Sequence, residues 1–363
     1  MPHVVGSSST YSKTIGQGLA GYPQFATGGH GAVVYVDGNQ FIDWTCSLGA
    51  TFLGHGHPQV NNAILEQLNK GIAFSLPTTL EEKTAKRFCS LTGWEQVRFC
   101  KNGSDATEAA VRLARHHTKR RVILCTGYHG SHSDLVSATE GKSGGVLEDC
   151  QDYVWRCPSE ESLLNDLQFT NIAAVITEPY VMGSGYWNWQ KVKEVCDASG
   201  TLLIFDEIIT GFRSRVGSPV DVRPHLACYG KAIANGMPLA LVAGSQQLMQ
   251  GFERDVFMSG TAAGELLSLA SCDATLSILS NADYDTLNSN GEEIGKALAG
   301  IAQGYPMRWQ LTLSDVAHRI FISELAKKGI LVGRDIFLTL AHTLSHVDML
   351  LTAIYGVRTE YGI

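Results

Sequence analysis

The middle of the chain alternates between continuous apolar runs and amphipathic stretches. Strands that are apolar at every position are typical of a parallel sheet covered on both faces. Five such strands are predicted, over residues 96–100, 121–125, 173–177, 201–205 and 239–243. The alternation therefore predicts an α/β domain with a doubly wound, mostly parallel sheet.

Amphipathic helices are predicted on either side of these strands. One follows Pro58, and a second opens at Thr79 with Glu82 at capping-box spacing. A third begins near Ser104 and continues through Arg115.

The C-terminal part has a different pattern. The runs 288–302, 314–328 and 343–355 are predicted as helices with little strand between them. A length of 363 residues accommodates two domains. We expect a large domain over residues 46–280 and a smaller α+β domain over residues 281–363. The N-terminal segment, residues 1–45, is expected to pack against the smaller domain.

Composition narrows the function classes. With 28 basic and 35 acidic residues the net charge is −7, which argues against a nucleic-acid partner. No apolar run is long enough to span a membrane and the polar N-terminus lacks a signal-peptide core, so a cytoplasmic protein is expected. The nine scattered cysteines contain no C-x-x-C pair, which argues against disulfides and zinc, and no metal site is predicted.

Asp206 and Glu207 end an apolar run, where an open α/β sheet presents side chains to its ligand. A magnesium–nucleotide site would need a G-x-x-x-x-G-K-[ST] loop, which the Gly-Lys pairs at 141, 230 and 295 do not form. A strand-end residue that caps the next turn explains Asp206 equally well.

Two further motifs are weak. GQGLAG at 16–21 matches a dinucleotide pattern, but no apolar strand precedes it and Pro23 follows where a helix should continue, so we interpret it as coincidence. HGH at 55–57 and GYHGSH at 127–132 lack metal-ligand spacing and are interpreted as loop or core histidines.

The segment 102–105, Asn-Gly-Ser-Asp, lies between a predicted strand and a predicted helix, where amides and a hydroxyl could bind an anion. An ordinary N-cap is the alternative. Lys231 follows a short apolar run, and apolar surroundings favour the lowered pKa that a Schiff-base amine needs. Together with Tyr128 and Asp206, these residues could contact the phosphate, ring face, ring nitrogen and aldehyde of pyridoxal phosphate.

On these residues the sequence resembles the class III aminotransferases, pyridoxal-phosphate enzymes of fold type I, and especially the subgroup similar to glutamate-1-semialdehyde 2,1-aminomutase. The resemblance covers about residues 30 to 280. Its motifs are VDGNQFIDW (36–44), LGHGHPQV (53–60), KNGSDATEAAVRLAR (101–115), GYHGSHSD (127–134), ITEP (176–179), LIFDEIITGFR (203–213) and YGKAIANGMP (229–238).

The resemblance implies a catalytic pair. Lys231 would be the Schiff-base lysine, and Asp206 would keep the pyridine nitrogen protonated so that the ring accepts electrons. Gly103 and Ser104 would bind the phosphate.

It also implies the remaining cofactor contacts. Tyr128 would stack on the ring, Ile208 would press its other face, and Glu178 would lie near the ring oxygen. Thr261, after Gly260, would reach the phosphate of the neighbouring subunit, which implies a homodimer with shared active sites.

The sequence departs from the family in three places. AAGELLSLA follows Thr261 where S-G-N-P is common, and some sugar-associated relatives are more similar there. The aminomutase's N-terminal S-P-V-R has no counterpart, and the C-terminal domain is shortened. Arg334 could supply a replacement cation for a carboxylate or phosphate, with a surface arginine as the alternative.

We therefore expect a pyridoxal-phosphate-dependent aminotransferase that moves an amino group between a small amine or amino-sugar-like donor and a keto acceptor. The alternatives are an intramolecular aminomutase and a cofactor-binding protein without turnover.

Overall fold

The computed structural model describes residues 3–16, 18–19, 21–139, 141 and 143–363. Gln17 and Ala20 of the GQGLAG motif and Lys142 of one Gly-Lys pair lie outside these residues. The chain forms two compact units, one made of Met1–Pro58 with Ala282–Ile363 and the other of Gln59–Asn281. The first division along the chain thus follows Pro58, whereas we expected it after residue 45.

The strands, in chain order, are β1 (Gly28–His30), β2 (Val33–Val36), β3 (Asn39–Asp43), β4 (Gln96–Cys100), β5 (Val122–Cys125), β6 (Val154–Arg156), β7 (Ile172–Thr177), β8 (Leu202–Glu207), β9 (Leu226–Tyr229), β10 (Ala240–Gly244), β11 (Ala302–Tyr305), β12 (Arg308–Leu311), β13 (Ile330–Leu331) and β14 (Asp335–Phe337).

The α-helices are α1 (Cys46–Gly49), α2 (Pro58–Leu68), α3 (Thr79–Thr92), α4 (Gly103–Thr118), α5 (Ser133–Val136), α6 (Glu148–Gln151), α7 (Glu160–Asp166), α8 (Trp189–Ser199), α9 (Gln246–Met249), α10 (Gly251–Arg254), α11 (Leu266–Leu279), α12 (Tyr284–Ala297), α13 (Asp315–Lys327) and α14 (Leu344–Tyr361). Short 3₁₀ helices cover Val5–Ser7, Tyr11–Thr14 and Lys231–Ala234.

The unit 59–281 is built on a large sheet. Among the described residues its strand order is β4-β10-β9-β8-β7-β5-β6. Every pairing among β9, β8, β7, β5 and β6 is parallel, while β10 is antiparallel to both neighbours. The predicted α/β class and mostly parallel sheet are therefore confirmed, and the five predicted strands correspond to β4, β5, β7, β8 and β10.

Helices of this unit start at polar caps. The Thr78 side chain accepts a hydrogen bond from the Glu81 amide and caps α3, so the capping pair predicted at Thr79 and Glu82 was wrong by one residue. The α4 helix begins with a reciprocal capping box between Asn102 and Asp105. Its buried face is rich in alanine, which lets the helix lie close to the sheet.

The unit of 3–58 and 282–363 contains two small sheets, β1-β2-β3-β13 and β11-β12-β14, with α12, α13 and α14. The prediction of little strand between the C-terminal helices was wrong. β11 and β12 form an antiparallel hairpin in which Tyr305 pairs with Arg308. The strand β11 reads Ala-Gln-Gly-Tyr, which has no apolar run to reveal it. Among the described residues no helix is long and apolar enough to cross a bilayer.

Candidate active site at the carboxyl ends of the parallel strands

Most of the predicted site residues follow the carboxyl ends of strands in the large sheet. Gly103 and Ser104 follow β4, Tyr128 follows β5, and Glu178 follows β7. Asp206 is the penultimate residue of β8, where it pairs in register with Cys228 of β9, and Lys231 comes two residues after β9 ends. Because β10 runs against both β4 and β9, these strands point the same way and present their ends at one edge of the sheet.

Asp206 is buried and held by two hydrogen bonds. His129 Nδ1 lies 2.9 Å from Asp206 Oδ2, and the Ile208 amide donates to Oδ1 at 3.1 Å. Since a carboxylate only accepts, the imidazole donates through Nδ1. The other ring nitrogen, Nε2 of His129, is buried without a partner among the described residues. The Asp206 and His129 side chains are nearly inaccessible, at 8 % and 1 % exposure, and the two hydrogen bonds fix the direction of the carboxylate.

Glycine leaves space around Ile208. A Cβ on Gly103 would lie 3.1 Å from Ile208 Cγ2, and one on Gly230 would lie 3.0 Å from Ile208 Cδ1. The Ile208 side chain therefore lies between the start of α4 and the residue before Lys231. Either glycine, given a side chain, would have to displace it.

Hydroxyl groups cluster where α4 begins. The Ser131 amide donates to Ser104 Oγ at 3.0 Å, and Thr107 Oγ1 donates to the His129 carbonyl at 2.6 Å. Gly130 has φ +121°, and a Cβ there would come within 3.0 Å of both Ser104 Oγ and Thr107 Oγ1. The loop 129–131 is thus fixed against the first turn of α4. First-turn amides and hydroxyls in this arrangement are suited to an anion.

Glu207 lies beside Asp206 and is fully enclosed. Burial raises the pKa of Glu207 to about 8, opposed by hydrogen bonds from Ser218 and Thr210 and assisted by the charges of Asp206 and Glu178. Thr210 Oγ1 donates to Glu207 Oε2 at 2.5 Å. Glu178 itself is half-buried after β7, within electrostatic reach of this pair.

Lys231 begins a short 3₁₀ helix with an uncommon backbone. Its φ of 43° lies in the left-handed region, which costs a non-glycine residue free energy. The residues after it, Ala232 to Ala234, are fully buried. The lysine itself is half-buried. Strain of this kind is often found at functional positions.

Two predicted residues are exposed. Tyr128 is 59 % exposed, and its stacking role stays a prediction. Thr261 is exposed and lines a cavity of about 530 Å³ together with Arg98 and Lys101. The residues that line this cavity do not include Asp206 or Lys231.

Arg334 belongs to the other unit. Its Nη2 lies 3.4 Å from Asp315 Oδ1, and the Asp315 side chain is almost fully exposed. Arg334 also lines a cavity of about 340 Å³ with His55, whose Nε2 lies 2.9 Å from Asp43 Oδ2. The HGH motif therefore includes a histidine paired with a buried carboxylate.

Sequence reasoning missed His129, Gly130 and Ser131 as site residues. All three belong to the GYHGSH motif, which we interpreted as loop or core histidines. His129 is indeed buried, yet it contacts Asp206 directly. The adjacent glycine was the available signal, because a glycine between a histidine and a serine indicates a close backbone approach.

A buried carboxylate, a lysine just beyond a parallel strand and hydroxyls beside a helix start are groups suited to bind pyridoxal phosphate. The sequence profile described as "Aminotransferase class-III" matches residues 19–348, and the chain belongs to this family. Pyridoxal phosphate is the cofactor.

Solved structures of other proteins share this fold. The chain is similar to the FumI protein of Sphingopyxis sp. MTA144 in its PLP internal aldimine form, with 26 % identity, a TM-score of 0.88 and coverage of 99 % of this chain and 93 % of that one. An omega-transaminase from Sphaerobacter thermophilus shares the fold, with 23 % identity, a TM-score of 0.84 and coverage of 98 % and 94 %. So does a beta-phenylalanine aminotransferase from Variovorax paradoxus, with 21 % identity, a TM-score of 0.87 and coverage of 99 % and 92 %.

The residues present fit the cofactor. The hydroxyls of Ser104 and Ser131 lie together at the start of α4, and glycine leaves room at positions 103 and 130 where a Cβ would collide. Asp206 is a buried, oriented acceptor, and Lys231 is a primary amine at the same edge of the sheet.

Proposed function

We propose that this class III aminotransferase transfers an amino group from a small amine or amino-sugar-like donor to a keto acceptor, using Lys231 and Asp206 as its catalytic pair. The observation that supports the proposal most strongly is the buried hydrogen bond of 2.9 Å between His129 and Asp206, at the end of β8, whose neighbour β9 leads to Lys231. A carboxylate fixed in this way keeps its charge aimed in one direction.

Asp206 and Lys231 have separate proposed roles toward the cofactor. Bound pyridoxal phosphate supplies an electron sink and an aldehyde that accepts an amine. Asp206 would accept a hydrogen bond from the ring nitrogen and stabilise its protonated form. Lys231 Nζ would hold the cofactor covalently until a donor amine replaces it, and would then move the proton released at the donor Cα.

The other proposed contacts bind and orient. Gly103 and Ser104 would bind the phosphate, since the first amides of α4 and the Ser104 hydroxyl lie together. Ile208 and Tyr128 would enclose the ring from its two faces. Glu178 would contact the ring oxygen region.

The proposed class of amine donor is based on the sequence alone. The run Gly264 to Ala270 reads G-E-L-L-S-L-A, which is similar to sugar-associated relatives. The relatives' names include an omega-transaminase, a beta-phenylalanine aminotransferase and an ornithine aminotransferase. These donors differ from one another, so family membership leaves the donor to be established by experiment.

Separate half-reactions test the reaction type. A panel of amines, including amino sugars, should convert the bound cofactor to its amine form with release of a carbonyl product. A keto acid added afterwards should restore the aldehyde form. Conversion of glutamate 1-semialdehyde to 5-aminolevulinate without any acceptor would instead identify an aminomutase. A bound cofactor that answers to no amine would identify a binding protein without turnover.

We also propose a homodimer with shared active sites. Ile72, Phe74, Leu76 and Phe257 expose large apolar side chains near the cavity that Thr261 lines. Apolar side chains gathered at one face are typical of a protein interface.

Mixing subunits tests this arrangement. Hybrids of a Lys231→Ala subunit with a Thr261→Ala subunit would contain one site free of both changes, so activity should return on mixing. If subunits exchange and activity stays absent, Thr261 does not act across the interface.

A further inference from the structure

Lys101 lies at the junction between β4 and α4. It follows Cys100, the last residue of β4, and precedes Asn102, the N-cap of α4. The backbone before it is fixed by the ladder, in which Cys100 pairs with Ala240. The side chain of Lys101 is therefore the next group able to fix where α4 begins.

The Lys101 ammonium is bound by two side chains at the start of α11. Nζ lies 2.6 Å from Glu265 Oε1 and 3.1 Å from Ser268 Oγ. The two ion-pair side chains are 27 % and 12 % exposed, so solvent screens the contact only in part.

Glu265 is itself tightly held. Its carboxylate caps α11 by accepting from the amides of Leu267 and Ser268, at 2.8 and 3.0 Å. These bonds, together with Lys101 and the Ser268 hydroxyl, lower the pKa of Glu265 against the effect of burial. The carboxylate is therefore charged at neutral pH and anchored to a helix that is buried along most of its length.

This contact uses a position where the chain departs from its family. The stretch after Thr261 reads A-A-G-E where S-G-N-P is common. Glu265 is the acidic residue of that stretch, and its partner Lys101 lies two residues before Gly103 of the proposed phosphate site. The departure thus places a fixed negative charge against the lysine at the start of α4.

We propose that Lys101 and Glu265 are positioning residues that hold the start of α4, and with it Gly103 and Ser104, in the geometry that binds the cofactor phosphate. The inference rests on the proposed phosphate role of these two residues. Among the described residues, the contacts of the pair are with each other and with the start of α11, and none is with Asp206. Loss of the pair should therefore weaken phosphate recognition selectively.

The whole chain is first freed of its cofactor and then titrated with pyridoxal phosphate and, separately, with pyridoxal. The ratio of the two affinities measures the selectivity for the phosphate. Lys101→Met should weaken pyridoxal phosphate binding by about tenfold, the equivalent of one charge-assisted hydrogen bond, and change pyridoxal binding little. Lys101→Arg should restore most of the affinity. Glu265→Gln keeps the helix cap but removes the charge, and should reproduce the selective loss.

Lys83→Met is the matched control. Lys83 Nζ lies 2.8 Å from Asp273 Oδ2, so it makes a second lysine–carboxylate contact to α11, distant in sequence from the start of α4. This variant should lower thermal stability and leave the ratio of the two affinities unchanged.

Ser104→Ala distinguishes a failure of the positioning role from a failure of the phosphate site itself. If Ser104→Ala lowers the ratio of affinities and neither Lys101→Met nor Glu265→Gln does, the positioning role is refuted and the phosphate site stands. If Ser104→Ala also has no effect, the proposed phosphate site is wrong. Equal loss of both ligands in the Lys101 and Glu265 variants would show a general structural role and would overturn the inference.

Discussion

The hydrogen bond between His129 and Asp206 offers the sharpest test of how the site is built. His129→Leu removes the donor and leaves Asp206 Oδ2 facing an apolar side chain. Hydrogen bonds to charged groups contribute about 1.5–3 kcal/mol, and every 1.4 kcal/mol is about tenfold. Both side chains are almost fully enclosed, so little water can replace the lost donor. We expect the donor half-reaction to slow by roughly 10- to 100-fold at saturating cofactor.

Single-turnover absorbance of the holoenzyme measures this rate apart from cofactor binding. His129→Asn places an amide near the former Nδ1 and should recover part of the loss. His318→Leu is a control, because His318 is also buried and its Nε2 lies 3.2 Å from the Gly333 carbonyl in the other unit. It should reduce stability without changing the rate. A His129→Leu rate within about twofold of the unchanged protein would refute the orienting role.

Three further substitutions have distinct expected outcomes. Asp206→Asn should retain some cofactor but slow turnover by at least about a hundredfold, and near-normal rates would remove its role as partner of the ring nitrogen. Gly130→Ala should cost about 1–3 kcal/mol of unfolding free energy, because a Cβ would lie 3.0 Å from Ser104 Oγ and Thr107 Oγ1 at φ +121°; unchanged denaturant unfolding would contradict this. Burial raises the pKa of Glu207 to about 8 from 4.5, so folding takes up a proton in that window. This contribution to stability is fully present below about pH 4.5 and is lost as the pH rises toward about 8. Urea unfolding at several pH values measures it: Glu207→Gln should reduce the fall of the unfolding free energy with pH, and an unchanged slope would exclude Glu207 as the source of that fall.

The parallel sheet could be predicted because its strands are apolar at nearly every position. The strands β7 and β8 are buried at all six positions, and both predictions lay within a residue or two of the observed bounds. The strands β6 and β9 were missed: β6 has three residues and ends in Arg156, and β9 has four residues and is followed at once by Gly230. The hairpin of β11 and β12 was missed because its strands are polar or glycine-containing and only tertiary packing selects them.

The site was predictable where sequence position fixes geometry. Asp206 lies at the end of β8 and Lys231 follows β9, and these strands are parallel neighbours, so both residues are expected at the same edge of the sheet. The pairing of His129 with Asp206 could not be predicted, because it joins residues 77 positions apart through a loop of irregular backbone. The contact between Lys101 and Glu265 spans 164 positions. No local pattern indicates that these two charges meet.

The measurement that tests the central claim most directly is the location of the covalently bound cofactor. Borohydride reduction of the holoenzyme fixes the cofactor to the amine that holds it, and peptide mapping by mass spectrometry identifies that residue. The structure predicts the added mass on Lys231, displaced by prior incubation with a productive amine donor. Modification of a different lysine, or none in a holoenzyme that turns over, would contradict the assignment of the active site.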